Sequence, residues 1–456
     1  MDQTLAAALQ ELLGPSGYLT EDLARYQEGW RYGHGRAAAV LRPATPAQLA
    51  DVVRRCHAAG QVLVPQGANT GLTGASVPDD SGAMVVLSLE RLSAIEAIDP
   101  IDRTATVQGG VLLSRLQEAL APHGLRFPID LGADPQVGGM IATNTGGTRL
   151  LRYGDVRANL LGVEVVLGDG AVVDGLSSLR KDNTGLRPAS LFPGTFGALG
   201  VVTRAVLSLS PIPRQQAAAL VACPDDGAVL ALLRGLEAQL HGLLSAFEVM
   251  SAAALAPVFA HTSLRDPYAG HAPAPQTVLV EVDTTLSRER LDLDELLAET
   301  LAELMEQGLG LEDVFLGDAE EFWAIRHAIS ESHRSVGRVM GLDVSVPRSS
   351  LPRLREAVSD WLDEAYPYVA MRDFGHWGDG GVHLNLTWDA DAPAPAVQER
   401  VYALVAALGG SYSAEHGLGP HNQGRYDATA AAPLLRLTGA LREACDPGGI
   451  LGRVRL

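Results

Sequence analysis

Between Thr45 and Leu209 the apolar positions switch repeatedly between helical and strand spacing. Pro46–Ala59 carries its apolar residues at helical intervals, with Thr45 placed to cap it, Pro46 at the first helical position and Gly60 to stop it. Val62–Pro65, Met84–Leu89 and Thr104–Gln108 read as strands, and Leu112–His123 as a helix. Leu161–Leu167 and Ala171–Asp174 form a hairpin across Gly168-Asp169-Gly170, and Gly200–Leu209 is a further strand. Residues 1–214, opened by an amphipathic helix over Met1–Gly14, therefore read as one α+β region. Pro211-Ile212-Pro213 reads as a linker. Beyond it, Ala-, Leu- and Glu-rich helices (Asp226–Leu243, Leu291–Gln307) alternate with strands such as Thr277–Val282, which predicts a second α+β region over 215–410. The last stretch, 411–456, ends in a helix over Ala432–Cys445. His261–Pro275 reads as an exposed loop and Asp391–Pro395 as a turn-rich break. No tandem repeat is present.

Composition narrows the class. A chain of 456 residues is too long for one simple core, and 47% hydrophobic with 20% charged residues is ordinary for a soluble globular protein. No apolar run is long enough to span a bilayer. The N-terminus lacks a basic segment followed by an apolar one, and the three cysteines, Cys56, Cys223 and Cys445, are widely scattered, so a reducing cytosol is the expected compartment. The formal charge of −19 disfavours nucleic acid and anionic lipid as partners. It would also repel an acidic ligand, which would then need a local positive site.

Two glycine-rich loops lie in the first region. Pro65-Gln66-Gly67-Ala68-Asn69-Thr70-Gly71 runs on through Gly74 and Ser76 after a strand. Glycines let backbone N–H groups converge on an anion, with Asn, Thr and Ser as added donors, which is the chemistry of a pyrophosphate cradle. A plain glycine-rich turn is the alternative. No Gly-Lys-Ser/Thr follows, and there is no GxGxxG. The second loop, Gly132–Gly147, includes Gly138, Gly139, Thr143 and Asn144 and leads into Arg149–Gly154. So much glycine would weaken a core element, so close approach to a ligand explains it better.

Near the C-terminus, His376 and His383 flank Gly378-Asp379-Gly380-Gly381, and Glu415-His416 sits between Ser413 and Gly419. Two imidazoles and a carboxylate suit a divalent transition metal with open coordination positions. Seven residues apart on a straight strand, the histidines would face opposite sides, so the glycines must bend the chain between them. Mutual hydrogen bonding in a buried turn is the alternative. Asp379 is read as holding the turn. His416 is left to act as a base, unless it is merely structural.

Taken together, Asn69–Gly74, Ala142–Gly147, Leu151–Gly154, Gly162–Leu167, Ser178–Gly185 and both C-terminal clusters resemble the FAD-linked oxidases of the vanillyl-alcohol oxidase/p-cresol methylhydroxylase superfamily, most of all its D-2-hydroxyglutarate and D-lactate dehydrogenases. The resemblance covers nearly the whole chain. It implies an α+β fold in which a two-subdomain FAD-binding domain (1–214) is followed by a substrate cap (215–410) and a C-terminal segment completing the active site (411–456). It implies FAD along the two loops and against Gly154, Gly200 and Val202. His376, His383 and Glu415 are the implied ligands of a zinc- or manganese-type metal. His416 is the implied base as hydride leaves C2 for flavin N5. Arg326 is the implied fork for the substrate carboxylate, with Ser330 and Asn385 as further substrate contacts.

The resemblance is not complete. A lysine that dicarboxylate-specific members carry before the Asp343–Pro347 strand is absent here (Met340-Gly341-Leu342), which favours a smaller or less charged acid. The family's Gly-Asp-Gly-Asn ends in Gly381, and a glutamate of its Gly-Ser-Glu-Gly motif is Phe196. The leading reading is a cytosolic FAD- and metal-dependent D-2-hydroxyacid dehydrogenase acting on a small anionic hydroxy acid. It would pass electrons to an electron-transfer flavoprotein or a quinone, with a homodimer as a family-level expectation. The alternatives are an oxygen-using oxidase of another alcohol and a non-catalytic flavin-fold subunit.

Overall fold

The computed structural model describes residues 1–389 and 394–456. Of the break read at 391–395, residues 391–393 lie outside the described residues. The chain divides into two compact units. The first comprises Met1–Gly147, Gly154–Ile212 and His416–Leu456; the second comprises Thr148–Tyr153 and Pro213–Glu415.

The first unit holds two main sheets. In one, Ala39–Leu41, Val85–Ser88 and Leu63–Gln66 run parallel, with Tyr18–Leu19 antiparallel at the edge. Successive parallel strands need a crossover, and the Pro46–Ala58 helix supplies it from Ala39–Leu41 to Leu63–Gln66, on either side of Val85–Ser88, with Thr45 Oγ1 accepting from Gln48 N at 3.1 Å. The other sheet is antiparallel, in the order Ile95–Asp99, Thr104–Gln108, Val201–Ser208, Leu160–Val166, Val172–Gly175. Each sheet has its own buried aliphatic core. The C-terminal stretch packs into this unit. Leu451 bridges Leu63, Ile450 and Leu451 join the first sheet's core, and Arg453 Nη1 donates to the Val77 and Pro78 carbonyls.

The second unit is built on one antiparallel seven-stranded sheet. Its order is Asp313–Gly317, Gln215–Cys223, Gln276–Thr284, Leu244–Ser251, Ala370–Gly375, Gly381–Trp388, Arg338–Ser345. One face is filled by Leu232, Leu297, Leu354 and Val401 from four helices. The opposite face packs on two helices, Ala252–His261 and Ala319–Ser332. Strand alternation places Glu248, Phe374, His383, Asn385 and Asp343 on that second face. A short excursion from the first region's sequence, Thr148–Tyr153, is tied into this unit. Arg149 forks onto Glu281 at 2.8 Å through Nε and Nη2, and Arg152 and Tyr153 bind Asp283.

One local expectation changes, and one strand was not anticipated. The second glycine loop contains a helix, Val137–Thr143, that buries Val137, Met140 and Ile141. Its i, i+3 and i+4 apolar spacing was hidden among glycines. Gln215–Cys223, rich in alanine, is a nine-residue strand, second from the edge of its sheet. Alanine has weak strand preference, and burial on both faces decides the matter. The three cysteines are free and buried, and burial pushes the Cys56 and Cys223 thiols up to about 12.

Candidate functional site

In the first unit, the loop after Leu63–Gln66 is held in shape by its own side chains. Gln66 Nε2 donates to the Tyr26 and Ser76 carbonyls (2.9 and 2.7 Å), and Ser76 Oγ donates to Asn69 Oδ1 (2.8 Å). Asn69 sits in the left-handed region, with φ of 60°, and donates to the Glu28 carbonyl. These donors are spent on the loop itself and on the Arg25–Glu28 stretch beside it. Among the described residues, none of the backbone N–H groups from Gly67 to Ser76, Ala68, Thr70, Gly71 and Gly74 included, has a protein acceptor. A row of unpaired amides is the arrangement that fits a pyrophosphate. Gly67 and Gly139 face each other across this loop, and a Cβ on Gly67 would lie 3.6 Å from Gly139 Cα.

Other predicted cofactor residues have local structural work. A Cβ on Gly138 would come within 2.9 Å of Leu89 Cδ1 and 3.0 Å of the Gly109 carbonyl oxygen, so glycine there permits close packing. Thr143 Oγ1 donates to the Gly139 carbonyl at 3.0 Å, and Asn144 caps its helix in the left-handed region while bonding Asp155 at 2.7 Å. Gly147 packs on Asp130, Gly154 on Ala158 and Gly200 on Val165, and Val202 is buried in its strand. Pro65 ends a strand pair with Leu87. The glycines after His416 are explained within the same unit. Gly417 packs on the Phe196 ring and Gly419 on Thr73, which lays half-buried His416 and the chain after it beside the amide-rich loop.

In the second unit, Ala370–Gly375 and Gly381–Trp388 form the hairpin that brings the two histidines together. Asp379 Oδ1 accepts from Gly381 N at 2.9 Å and fixes the turn. The turn glycines have steric causes. A Cβ on Gly378 would strike Leu151, and one on Gly380 would strike the Val346 carbonyl. His376 and His383 stand with ring centroids 5.4 Å apart. With Glu415 they offer three ligand atoms, all within 4.8 Å of one another. His376 Nε2 lies 2.9 Å from Glu415 Oε1. Asp343 holds the glutamate's backbone, accepting from Glu415 N at 2.9 Å, and its Oδ1 lies 3.8 Å from His383 Nδ1.

Glu248, which the sequence reading missed, organises the cluster from below. Its Oε1 takes His376 Nδ1, and its Oε2 takes Arg326 Nε at 2.7 Å. It is 1% exposed. Burial alone would raise its carboxyl, but His376 and Arg326 outweigh burial and hold it at about 2. Burial acts to lower His376, yet the carboxylates on both sides raise it well above the usual histidine range. Burial pushes His383 down to about 4, which leaves a neutral imidazole at neutral pH. The available signal for Glu248 was a lone charge in the apolar stretch Leu244–Ser251. Glu281 and Asp283 gave the same signal one strand away.

Arg326 is buried, bonded to Glu248 and set 4.5 Å from the Phe374 ring centre. Ser330 is exposed one helical turn later. Asn385 Nδ2 donates to His333 Nδ1 at 2.9 Å, and His333 Nε2 lies 3.2 Å from the Ala254 carbonyl. A carbonyl only accepts, so the Nε2–H tautomer follows. His333 is a second residue the sequence reading missed.

The donor chemistry fits a divalent metal. A proton now links His376 Nε2 to Glu415, both of which are ordinary ligand groups, and His383 is already neutral beside them.

Comparison with known proteins agrees with this layout. A model of the FAD binding domain matches residues 37–175, and one described as FAD linked oxidases, C-terminal domain, matches residues 212–456, more than half of the chain. The chain is 35% identical to mitochondrial D-2-hydroxyglutarate dehydrogenase of Bos taurus, over 99% of this chain and 82% of the relative. It is 33% identical to a putative mitochondrial D-lactate dehydrogenase of Schizosaccharomyces pombe, over 94% of this chain and 84% of the relative. Among solved structures, p-cresol methylhydroxylase with substrate bound aligns with a TM-score of 0.73 at 17% identity, covering 98% of this chain and 95% of that one. Alkyldihydroxyacetonephosphate synthase aligns at 0.74 and 16%, covering 99% and 84%. The names of these relatives overturn the cytosolic reading, since they are mitochondrial proteins. Scattered cysteines report a reducing environment, which does not by itself distinguish compartments. Among the described residues, no helix is long and apolar enough to cross a membrane. The chain shares the fold of p-cresol methylhydroxylase, belongs to the FAD-linked oxidases, and is an FAD-dependent oxidoreductase.

Proposed function

We propose that this FAD-dependent oxidoreductase of CH–OH groups is a metal-dependent D-2-hydroxyacid dehydrogenase, producing the 2-oxo acid. The observation that carries the metal part is the His376, His383, Glu415 cluster, with ligand atoms within 4.8 Å of one another and a buried carboxylate behind His376. The names of the relatives support the substrate class. The unpaired amides of Gly67–Ser76, with Gly139 opposite, would hold the pyrophosphate of FAD. When bound, FAD supplies a two-electron acceptor and the divalent metal, zinc or manganese, a Lewis acid for the substrate hydroxyl.

The remaining roles belong to side chains. Glu248 keeps a proton on His376 Nδ1 and so turns Nε2 outward as a ligand, the arrangement in which an outer carboxylate orients a ligating imidazole. Asp343 fixes the backbone of Glu415. Arg326, oriented through Nε by Glu248, directs its remaining guanidinium nitrogens at the substrate carboxylate. His333 sets the amide of Asn385, leaving its carbonyl side for substrate, and Ser330 adds a hydroxyl. His416 takes the hydroxyl proton, a role suited to imidazole near neutral pH. Electrons then pass to a carrier such as an electron-transfer flavoprotein or a quinone.

Steady-state assays with an artificial acceptor dye, under air and under nitrogen, test the reaction type. Dye reduction by a D-2-hydroxy acid that is indifferent to oxygen is the expected result. Turnover sustained by oxygen alone, with peroxide formed, would assign an oxidase instead.

A further inference from the structure

Arg149, Arg152, Arg326 and Arg355 of the second unit are largely buried, and each faces a carboxylate. Arg372, half-buried in the Ala370–Gly375 strand, differs from them. Among the described residues it makes no ion pair. Its Nε donates to Thr387 Oγ1 at 2.9 Å and its Nη1 to the Ala253 carbonyl at 2.6 Å. The second bond has a local cause. Four residues after Ala253 stands Pro257, inside the Ala252–His261 helix, and it has no N–H to give that carbonyl. Two neutral acceptors anchor the guanidinium, but its charge stays uncompensated in a partly desolvated place, which is costly unless an anion arrives. Burial also pulls the Arg372 pKa below its ordinary value.

The register locates this charge. Arg372 pairs with Asn385, and Asn385 pairs in turn with Gly341 on the next strand. All three lie on the sheet face that carries His383, and Asn385 is two residues along the strand from His383, about 7 Å. Gly341 is exposed and has no side chain, and a Cβ there would lie only 3.2 Å from Asn385 Oδ1. Asn385, buried and bonded to His333, is therefore flanked by an exposed position without a side chain at Gly341 and by a cation at Arg372.

We infer that Arg372 is a specificity-determining residue that receives the distal carboxylate of a four- or five-carbon 2-hydroxy diacid whose hydroxyl end lies at the His376–His383–Glu415 cluster. The inference rests on the dehydrogenase reading above. It replaces the expectation of a smaller or less charged acid, which followed from the missing lysine alone. With Nε and one N–H of Nη1 anchored, the remaining N–H groups of the Arg372 guanidinium, two strands from Gly341, would do the work of a cation at 341.

Anaerobic flavin reduction with D-malate, D-2-hydroxyglutarate and D-lactate tests it on the wild type, on Arg372→Gln, which keeps a donor without charge, and on Arg372→Lys, which keeps the charge. The wild type should half-saturate at least tenfold lower with one of the diacids than with D-lactate. Arg372→Gln should raise that diacid's half-saturating concentration tenfold or more while D-lactate moves less than threefold, and Arg372→Lys should recover part of the loss. A wild type that half-saturates with D-lactate as low as with either diacid would overturn the inference without any variant. So would a diacid-to-lactate ratio unchanged in Arg372→Gln. Failure of every 2-hydroxy acid to reduce wild-type flavin would instead overturn the dehydrogenase reading, and the inference with it.

Discussion

Replacing Glu248 by glutamine changes one oxygen to an NH2 group and removes one charge from beneath the proposed metal ligands. Glu248 is 1% exposed and accepts from two cationic donors, His376 Nδ1 and Arg326 Nε. Glutamine can accept from only one of them, so the other meets a second donor. Two costs follow. Arg326, itself buried, loses its carboxylate, and breaking a buried pair costs about 3 kcal/mol or more. For a protein in the size range of one of these units, that lowers the melting temperature by roughly 6–12 °C. His376 also loses the carboxylate that fixes its tautomer, which weakens metal affinity about 10- to 100-fold, or roughly 1.4–2.7 kcal/mol. Titration of the flavin-loaded protein with zinc against a chromophoric chelator reads the affinity, and differential scanning fluorimetry reads the stability. A Glu248→Gln protein that keeps its flavin, melts within 2 °C of wild type and binds zinc equally well would refute this account of the buried carboxylate.

Further predictions concern other parts of the molecule. His376→Ala or Glu415→Ala should abolish turnover while the oxidised-flavin absorbance remains; near-normal rates in metal-free buffer would remove the metal role. Arg149→Met leaves Glu281 buried without its fork and should destabilise the second unit by about 3–5 kcal/mol in denaturant titration. Gly138→Ala drives a methyl against Leu89 and the Gly109 carbonyl and should cost about 1–3 kcal/mol, seen as an earlier midpoint. Burial holds His333 at about 4, below its unfolded value of 6.5, so the folded state favours the neutral ring. Its contribution is complete above pH 6.5 and is lost as the pH falls towards 4, on the order of 3 kcal/mol in all. His333→Gln should flatten that part of the acid stability curve, and an unchanged slope would contradict the assignment.

Much of this was legible in the sequence, where local chemistry decides local structure. Thr45 and Pro46 announced their helix, Gly168-Asp169-Gly170 announced the hairpin, and two histidines separated by glycines announced a turn that brings them together. What stayed hidden depended on long-range pairing. Glu248 is 128 residues from His376, and only the register of the central sheet shows that one supports the other. Gln215–Cys223 is poor in strand-forming residue types, with Val221 alone among its alanines, and is a strand because neighbours cover both of its faces. Arg372 and Gly341 are unremarkable until Asn385 is found between them. Arg326 was read as a substrate fork, and the fold adds a partner for it in Glu248. The compartment was misread because the cysteine pattern reports redox conditions alone.

The central claim is most directly tested by anaerobic bleaching of the oxidised-flavin absorbance with D- and L-2-hydroxy acids, with and without a chelator. Bleaching is expected with a D-acid but not with its L-enantiomer, blocked when the chelator strips the metal and restored by zinc or manganese. Flavin that a D-2-hydroxy acid bleaches equally well after complete metal removal, or that no 2-hydroxy acid bleaches, would contradict it.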